Sequence, residues 1–241
     1  MAKDQDKKKG NIGSIQSDFI TLTSHQLRTP LSGMKWLLEL MQKSSVGNLN
    51  KKQKKLLSKI YQSNERMIAL VNDLLEVSRI ESGEAKLYLQ PTDLASVVRG
   101  LIREKADEIK KKRLDVEFAV EREPLPLVKT ELNKIRQAIG NLISNAIAYT
   151  PEGGELKIDL KQQDHEILGK ISDTGAGIPK DQQKSVFNKF YRGSNILKFE
   201  TNGTGLGLYI TKAFIEASGG RIWFKSQENK GTTFYFTLPI A

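Results

Sequence analysis

The chain has 241 residues, 38% of them hydrophobic and 27% charged, with two histidines, no cysteine and a formal net charge of +10. This is the make-up of a soluble globular chain, long enough for one large domain or two modest ones. It excludes disulfides, thiolate zinc sites, cysteine nucleophiles and a histidine-rich metal centre. No apolar run approaches the roughly 20 residues that span a bilayer, and the N-terminal Met1-Ala2-Lys3-Asp4 is too polar for a signal peptide. The positive charge sits in Lys7 to Lys9, Lys51 to Lys55 and Lys110 to Arg113. These are a terminus, a helix start and a helix end, so solvated helix ends account for the excess, and no nucleic-acid partner is expected.

Residues 1–13 read as a polar N-terminal linker. A first helix is predicted over 14–43, with Ile20, Leu27, Leu31, Met34, Leu38 and Met41 as one apolar stripe and Phe19, Leu22, Leu37 and Leu40 beside it. His25 lies on the opposite side of that wheel. Pro30 withholds an N–H from the carbonyl of Gln26, which predicts a bend next to the imidazole. The turn residues Ser44 to Asn50 end this helix. A second is predicted over 51–81, its apolar face carrying Leu57, Ile60, Met67, Val71 and Leu75. A single hairpin cannot bury both of its apolar faces, so the expectation is a four-helix bundle from two chains.

Gln90-Pro91-Thr92-Asp93 marks a boundary before a helix over 93–112. A strand is expected at 115–120, a helix at 131–148, strands at 155–162 and 166–172 joined as a hairpin, a helix at 206–217, and strands at 221–226 and 232–238. Helices and strands mix without βαβ regularity. The fold class is therefore an α+β layer, helices on one face of a mixed sheet, behind a helical hairpin.

Three stretches point to a nucleotide. Gln137, Asn141, Asn145 and Tyr149 recur every four residues along helix 131–148 and form a polar face opposite Ile135, Ala138, Ile139, Leu142, Ile143 and Ala146. An asparagine carbonyl is a hard oxygen ligand suited to Mg²⁺ that also holds phosphates, and a tyrosine one turn on could stack on a base. Asp173-Thr174-Gly175-Ala176-Gly177 follows a strand, with glycines that let the backbone approach a ligand and a carboxylate able to accept from an exocyclic amine. Gly203-Thr204-Gly205-Leu206-Gly207 opens a helix, and glycine-rich backbone at a helix N-terminus is an anion site. It is neither a Walker loop nor a Rossmann fingerprint. Between the glycine motifs, Phe187-Asn188-Lys189-Phe190-Tyr191-Arg192 reads as a lid whose Arg192 could reach phosphates.

These stretches, with Ser24-His25-Gln26-Leu27-Arg28-Thr29-Pro30, stand in the order of the H, N, G1, F and G2 boxes, and the chain resembles the two-component sensor histidine kinases over about residues 14–241. The resemblance implies a dimerisation and histidine-phosphotransfer domain at 14–85, which makes a homodimer, and a catalytic ATP-binding domain with a Bergerat-type α/β sandwich at 91–241. It implies ATP and Mg²⁺ as cofactors and a response-regulator receiver domain as partner. His25 becomes the phospho-acceptor and Asn145 the metal ligand. Asp173 becomes the adenine acceptor, and Gly203, Gly205 and Gly207 the lid glycines. Thr29 matches the position that similar proteins use to orient a hydrolytic water, so regulator phosphatase activity is a second expected property. The fragment is expected in the cytoplasm; a membrane tether on the parent protein is left open.

Three positions depart from the family pattern. Gln26 replaces the usual acidic residue after the histidine, Ala148 replaces a frequent lysine, and Lys129-Thr130 stands where Gly-Asp is common. Two rival readings stay open: a nucleotide-gated dimer without autokinase activity, and an unrelated Bergerat ATPase acting as a clamp. The second has no use for the His25 motif.

Overall fold

A computed structural model describes residues 23–24, 26–43, 47–83, 87–194 and 203–241. The polar linker 1–13, the first residues of the predicted helix, His25 and residues 195–202 of the predicted lid lie outside the described residues. The chain divides into two compact units, Met1–Lys86 and Leu87–Ala241.

In the first unit, α1 (26–42) runs without a break through Pro30, and α2 spans Lys51–Glu81. Asn50 starts α2 with a capping box: its side chain accepts from Gln53 N while the Gln53 side chain accepts from Asn50 N, both at 2.9 Å. Polar contacts join the helices. Arg28 donates to Asn72 at 2.9 Å, Asn64 to the Leu31 carbonyl at 3.0 Å and Tyr61 to Glu39 at 3.3 Å, and Lys35 pairs with Glu65 at 3.1 Å. Rising numbers on one helix meet falling numbers on the other, so the pair is antiparallel. The seam repeats every seven residues. Leu31 and Leu38 of α1 are buried, as are Leu57, Asn64, Val71 and Ser78 of α2. The predicted stripe therefore divides: Leu27, Met34 and Met41, also seven apart, remain exposed beside it.

In the second unit, β1 (Gln90–Thr92) pairs antiparallel with β3 (Val128–Thr130). Between them come α3 (Leu94–Glu104), α4 (Ala106–Lys112) and β2 (Asp115–Val120). The single helix expected over 93–112 is thus two. Lys105, at φ −93° and ψ 6°, leaves helical geometry and separates them. Then follow α5 (Leu132–Tyr149), β4 (Glu155–Gln163), β5 (Glu166–Asp173), α6 (Gly207–Ala217), β6 (Arg221–Gln227) and β7 (Gly231–Pro239). The main sheet has the order β2-β4-β5-β7-β6, with β2 parallel to β4 and all other neighbours antiparallel.

Alternation settles which face is covered. Leu156, Ile158 and Leu160 of β4, Ile167 and Ile171 of β5, and Phe234, Phe236 and Leu238 of β7 are buried. Against them lie the apolar back of α5 and Ile210, Phe214 and Ile215 of α6, and α3 packs on α5 with Val97, Val98 and Leu101 buried. Gly169 faces Phe236 across the β5–β7 ladder, and a methyl group there would stand 2.1 Å from the Phe236 ring, so the ring lies across the space a side chain would fill. The other face is wet. Lys170–Asp159 and Lys157–Glu117 pair across strands, and Trp223 stacks on Tyr235 with ring centres 5.4 Å apart.

Candidate nucleotide-binding site

The site is built around the C-terminal half of α5. Its apolar back, from Ile135 to Ala146, is buried, while Asn141, Asn145 and Tyr149 on the other side are half-buried. Asn141 is committed to the protein. Its Nδ2 donates to the Gly207 carbonyl at 3.1 Å and to Thr211 Oγ1 at 3.4 Å, tying α5 to the first turn of α6. This leaves its carbonyl oxygen for a ligand. The Asn145 side chain makes no hydrogen bond among the described residues.

β5 ends at Asp173. Its Oδ1 accepts from Gly175 N at 2.8 Å and from Thr232 N at 3.2 Å, so both backbone bonds fall on one oxygen. Burial pushes the Asp173 carboxyl up to about 6, against the two backbone bonds, which pull it down. A desolvated carboxylate with one oxygen held by backbone presents the other as an oriented acceptor.

The glycines of the two motifs play different parts. A methyl group on Gly175 would lie 2.6 Å from the Tyr149 carbonyl, so this glycine lets the turn close onto the end of α5. Gly177, at φ 63°, would meet the Gln227 carbonyl at 2.0 Å. Its φ meets the need for a sharp turn, and the space beside it is taken by the β6–β7 turn. Gly205, at φ 73°, packs against the backbone of Phe190 and brings the predicted lid onto the start of α6. Gly203 is open, with the guanidinium of Arg192 about 4.0 Å from a methyl built there. Arg192 and the second glycine motif are thus neighbours. Thr204 Oγ1 accepts from Leu206 N at 3.2 Å. The Leu206 side chain is fully buried, so of this predicted ligand contact only the backbone is presentable. Among the described residues the N-cap Leu206 gives α6 no side-chain bond, which leaves its first N–H groups to an anion.

The lid is anchored at its base. Phe187 meets Phe224 and Phe234 edge-on, with ring centres 5.8 and 6.4 Å away. The Gln182 side chain donates to Ser194 Oγ and accepts from Ser194 N and Tyr191 OH, at 2.7, 3.0 and 2.9 Å.

A clamp on the first glycine motif escaped the sequence reading. Ser226 Oγ accepts from Ile178 N at 2.8 Å and contacts Thr232 Oγ1 at 2.9 Å. Gln183 donates to the carbonyls of Ile178 and Ser226 at 3.0 and 3.1 Å, and Asn229 N to that of Ala176 at 2.7 Å. The signal was present: Ser226 follows Ile222 and Phe224 at the inward positions of β6, where an apolar residue is expected.

In the first unit, Gln26 and Thr29 are exposed on α1. Of the predicted site residues, Asn141, Asn145, Tyr149, Asp173, Gly175 and the start of α6 surround one region, with Arg192 beside the second glycine motif. No group of three or more His, Cys, Asp or Glu that could hold a metal is assembled among the described residues.

An α/β sandwich with this polar helix face, half-buried carboxylate and glycine-rich helix start defines a Bergerat-type ATP-binding domain. Residues 130–241 match the "Histidine kinase-, DNA gyrase B-, and HSP90-like ATPase" family, and residues 15–83 match the "His Kinase A (phospho-acceptor) domain". Sensor histidine kinase WalK of Bacillus subtilis is 38% identical over 227 residues, covering 92% of this chain and 36% of that kinase. The full-length ShkA structure in complex with AMPPNP is 26% identical, with a TM-score of 0.76 over 93% of this chain and 46% of that one. A crystal structure of the histidine kinase ThkA with the response regulator TrrA, 24% identical, shares the fold at a TM-score of 0.65, covering 100% of this chain and 67% of that one. The chain belongs to the two-component sensor histidine kinases. It spans about a third of the length of WalK.

No described helix is long and apolar enough to cross a membrane.

Proposed function

We propose that this chain is the autokinase core of its parent protein. The observation that carries the reading is the convergence of Asp173, the Asn145–Tyr149 face and the start of α6 on one side of α5, in a chain that also carries a phospho-acceptor hairpin. ATP is the substrate: Asp173 accepts from the adenine amine, Tyr149 borders the base, and the α6 N–H groups with Arg192 take the phosphates. A half-buried amide oxygen at Asn145, with no protein partner among the described residues, fits Mg²⁺ shared with those phosphates. The metal would offset charge on the transferring group.

In the reaction a neutral nitrogen of His25 attacks the γ-phosphorus in line. The N–P bond forms, the P–O bond to ADP breaks, and the second ring proton is released. Gln26 can orient the ring through its carbonyl but cannot take that proton near neutral pH, so solvent or another carboxylate receives it. The phosphoryl group then passes to an aspartate of a response-regulator receiver domain. The exposed apolar residues of α1 and α2 pack against those of a second copy, giving a four-helix bundle.

The test is incubation with ATP labelled at the γ-phosphate. The chain acquires acid-labile, base-stable label, and His25→Ala acquires none while binding nucleotide as the parent does. Label retained on the alanine variant rejects the assignment.

A further inference from the structure

At the C-terminus of a helix the last carbonyls lack intrahelical partners, and in α5 that end carries the nucleotide face. Lys112, the last residue of α4, reaches it from a distant part of the sequence. Its Nζ donates to the carbonyls of Ile147 at 2.8 Å, Ala148 at 2.6 Å and Thr150 at 3.1 Å. The remaining carbonyl of that turn, Tyr149, accepts from Ala176 N at 3.2 Å. Backbone fastens the same junction: Gly153 N donates to the Lys112 carbonyl at 2.9 Å, and Arg113, at φ 52°, turns the chain away immediately after Lys112. The sequence reading counted Lys112 among solvated helix-end charges. It is instead half-buried and engaged on three carbonyls.

We propose that Lys112 is a positioning residue for nucleotide binding, an ammonium clamp that fixes the last turn of α5 and, through it, the turn after Asp173. An ammonium has three donors, and all three find carbonyls of one turn. A cation at a helix C-terminus also opposes the negative end of the helix dipole, and Ala148 supplies no charge of its own there. The coupling to the pocket is short. The clamped turn holds Tyr149; the Tyr149 carbonyl holds Ala176; Gly175, next to it, donates to Asp173. Loss of the ammonium frees three carbonyls and loosens both walls of the pocket, without touching the phosphoryl-transfer step itself.

This inference rests on the nucleotide site proposed above, and the experiment separates the two. In the full chain, Lys112→Met keeps most of the aliphatic stem and removes the charge. ADP affinity by titration calorimetry is expected to fall about tenfold. KM for ATP in autophosphorylation rises in parallel, kcat stays within about threefold, and amide protection at residues 147–150 and 176 drops. Lys112→Arg, which keeps a cation, recovers most of the affinity. Parental ADP affinity in the methionine variant overturns the proposal, as does a fall in kcat with KM unchanged or a failure of arginine to rescue. Lys112→Gln serves if the methionine variant does not fold. If neither folds, the residue is a general folding determinant and the positioning role is rejected. A parent chain that binds no ADP refutes the site itself.

Discussion

The two units treat their apolar residues in opposite ways. In the C-terminal unit, Leu142 and Ile143 of α5 are 0% exposed beneath a sheet that covers them fully. In the N-terminal hairpin, Leu37 and Ile60 are 52% and 55% exposed, and Trp36 is 62% exposed. One unit closes its own core; the other closes half of one. A nucleotide pocket needs walls held rigidly by a finished core. A hairpin whose second apolar face awaits another copy makes its fold depend on assembly, so anything that alters the packing of two copies acts directly on α1.

The sharpest way to separate the units is to disable one and leave the other intact. Asn145→Ala removes the amide oxygen from the nucleotide face but leaves the buried back of α5 untouched. Autophosphorylation is expected to fall roughly 10²–10³-fold, with stability changed by less than about 1 kcal/mol. Calorimetric titration of nucleotide with and without Mg²⁺ is the check. Unchanged Mg²⁺-dependent affinity would remove Asn145 from the metal site.

The comparison is tested from the other side at the exposed hairpin face. Leu37→Glu with Ile60→Glu leaves the intrachain seam of Leu31, Leu38, Leu57 and Val71 in place and puts charges on the surface assigned to the second copy. Burying each unpaired charge costs several kcal/mol, so the dimer weakens by at least about 100-fold. Sedimentation equilibrium at micromolar concentration is expected to show a dimer for the parent and a monomer for the variant. A variant that remains dimeric places the interface elsewhere.

How much of this was legible in the sequence varied with the physics of each element. The bounds of α2 could be read because the turn residues Ser44 to Asn50 and Glu81-Ser82-Gly83 flank it, and local signals survive in sequence; its capping box between Asn50 and Gln53 went unread. The strands of the main sheet could be read from period-two alternation, each within a residue or two of its observed ends. The strands β1 and β3, three residues each, are too short to alternate, and Pro91 in β1 reads as a boundary. The division of the 93–112 helix at Lys105 carries no breaker residue. Asn64 shows the limit most clearly. It occupies an apolar position of the seven-residue repeat, is 2% exposed, and donates to the Leu31 carbonyl, a long-range pairing that no local pattern encodes. Lys112 was missed for the same reason, its carbonyl partners lying 35 to 38 residues away, whereas the Ser226–Gln183 clamp left a sign in the polar residue at an inward position of β6. The residues of the nucleotide face were legible as types, but which of them the fold had already engaged was not, as Asn141 illustrates.

The smallest expected effect concerns the carboxylate on which the two demands of the C-terminal unit conflict. Burial raises the Asp173 carboxyl to about 6 from an ordinary value of 3.8. Between those values the folded chain holds a proton that the unfolded chain has released. Stability from this group is therefore fully present below about pH 4, declines as pH rises towards 6, and stays low above it, a loss on the order of 1–3 kcal/mol. Asp173→Asn keeps the Oδ1 acceptor for Gly175 and Thr232 and removes the buried charge. The apo variant should be more stable than the parent at pH 7.5, and the difference should shrink towards pH 4. Trp223 in this unit, with Trp36→Phe as background, reports the unfolding separately from the hairpin. Nucleotide binding should move the other way. The parent loses affinity below about pH 6 as the acceptor is protonated, and the asparagine variant binds weakly at every pH. A variant no more stable than the parent at pH 7.5 would show that burial of the charge is not what sets this carboxylate apart. Stability gained and affinity lost in the same substitution would show that the pocket keeps a destabilised carboxylate because the adenine amine requires it.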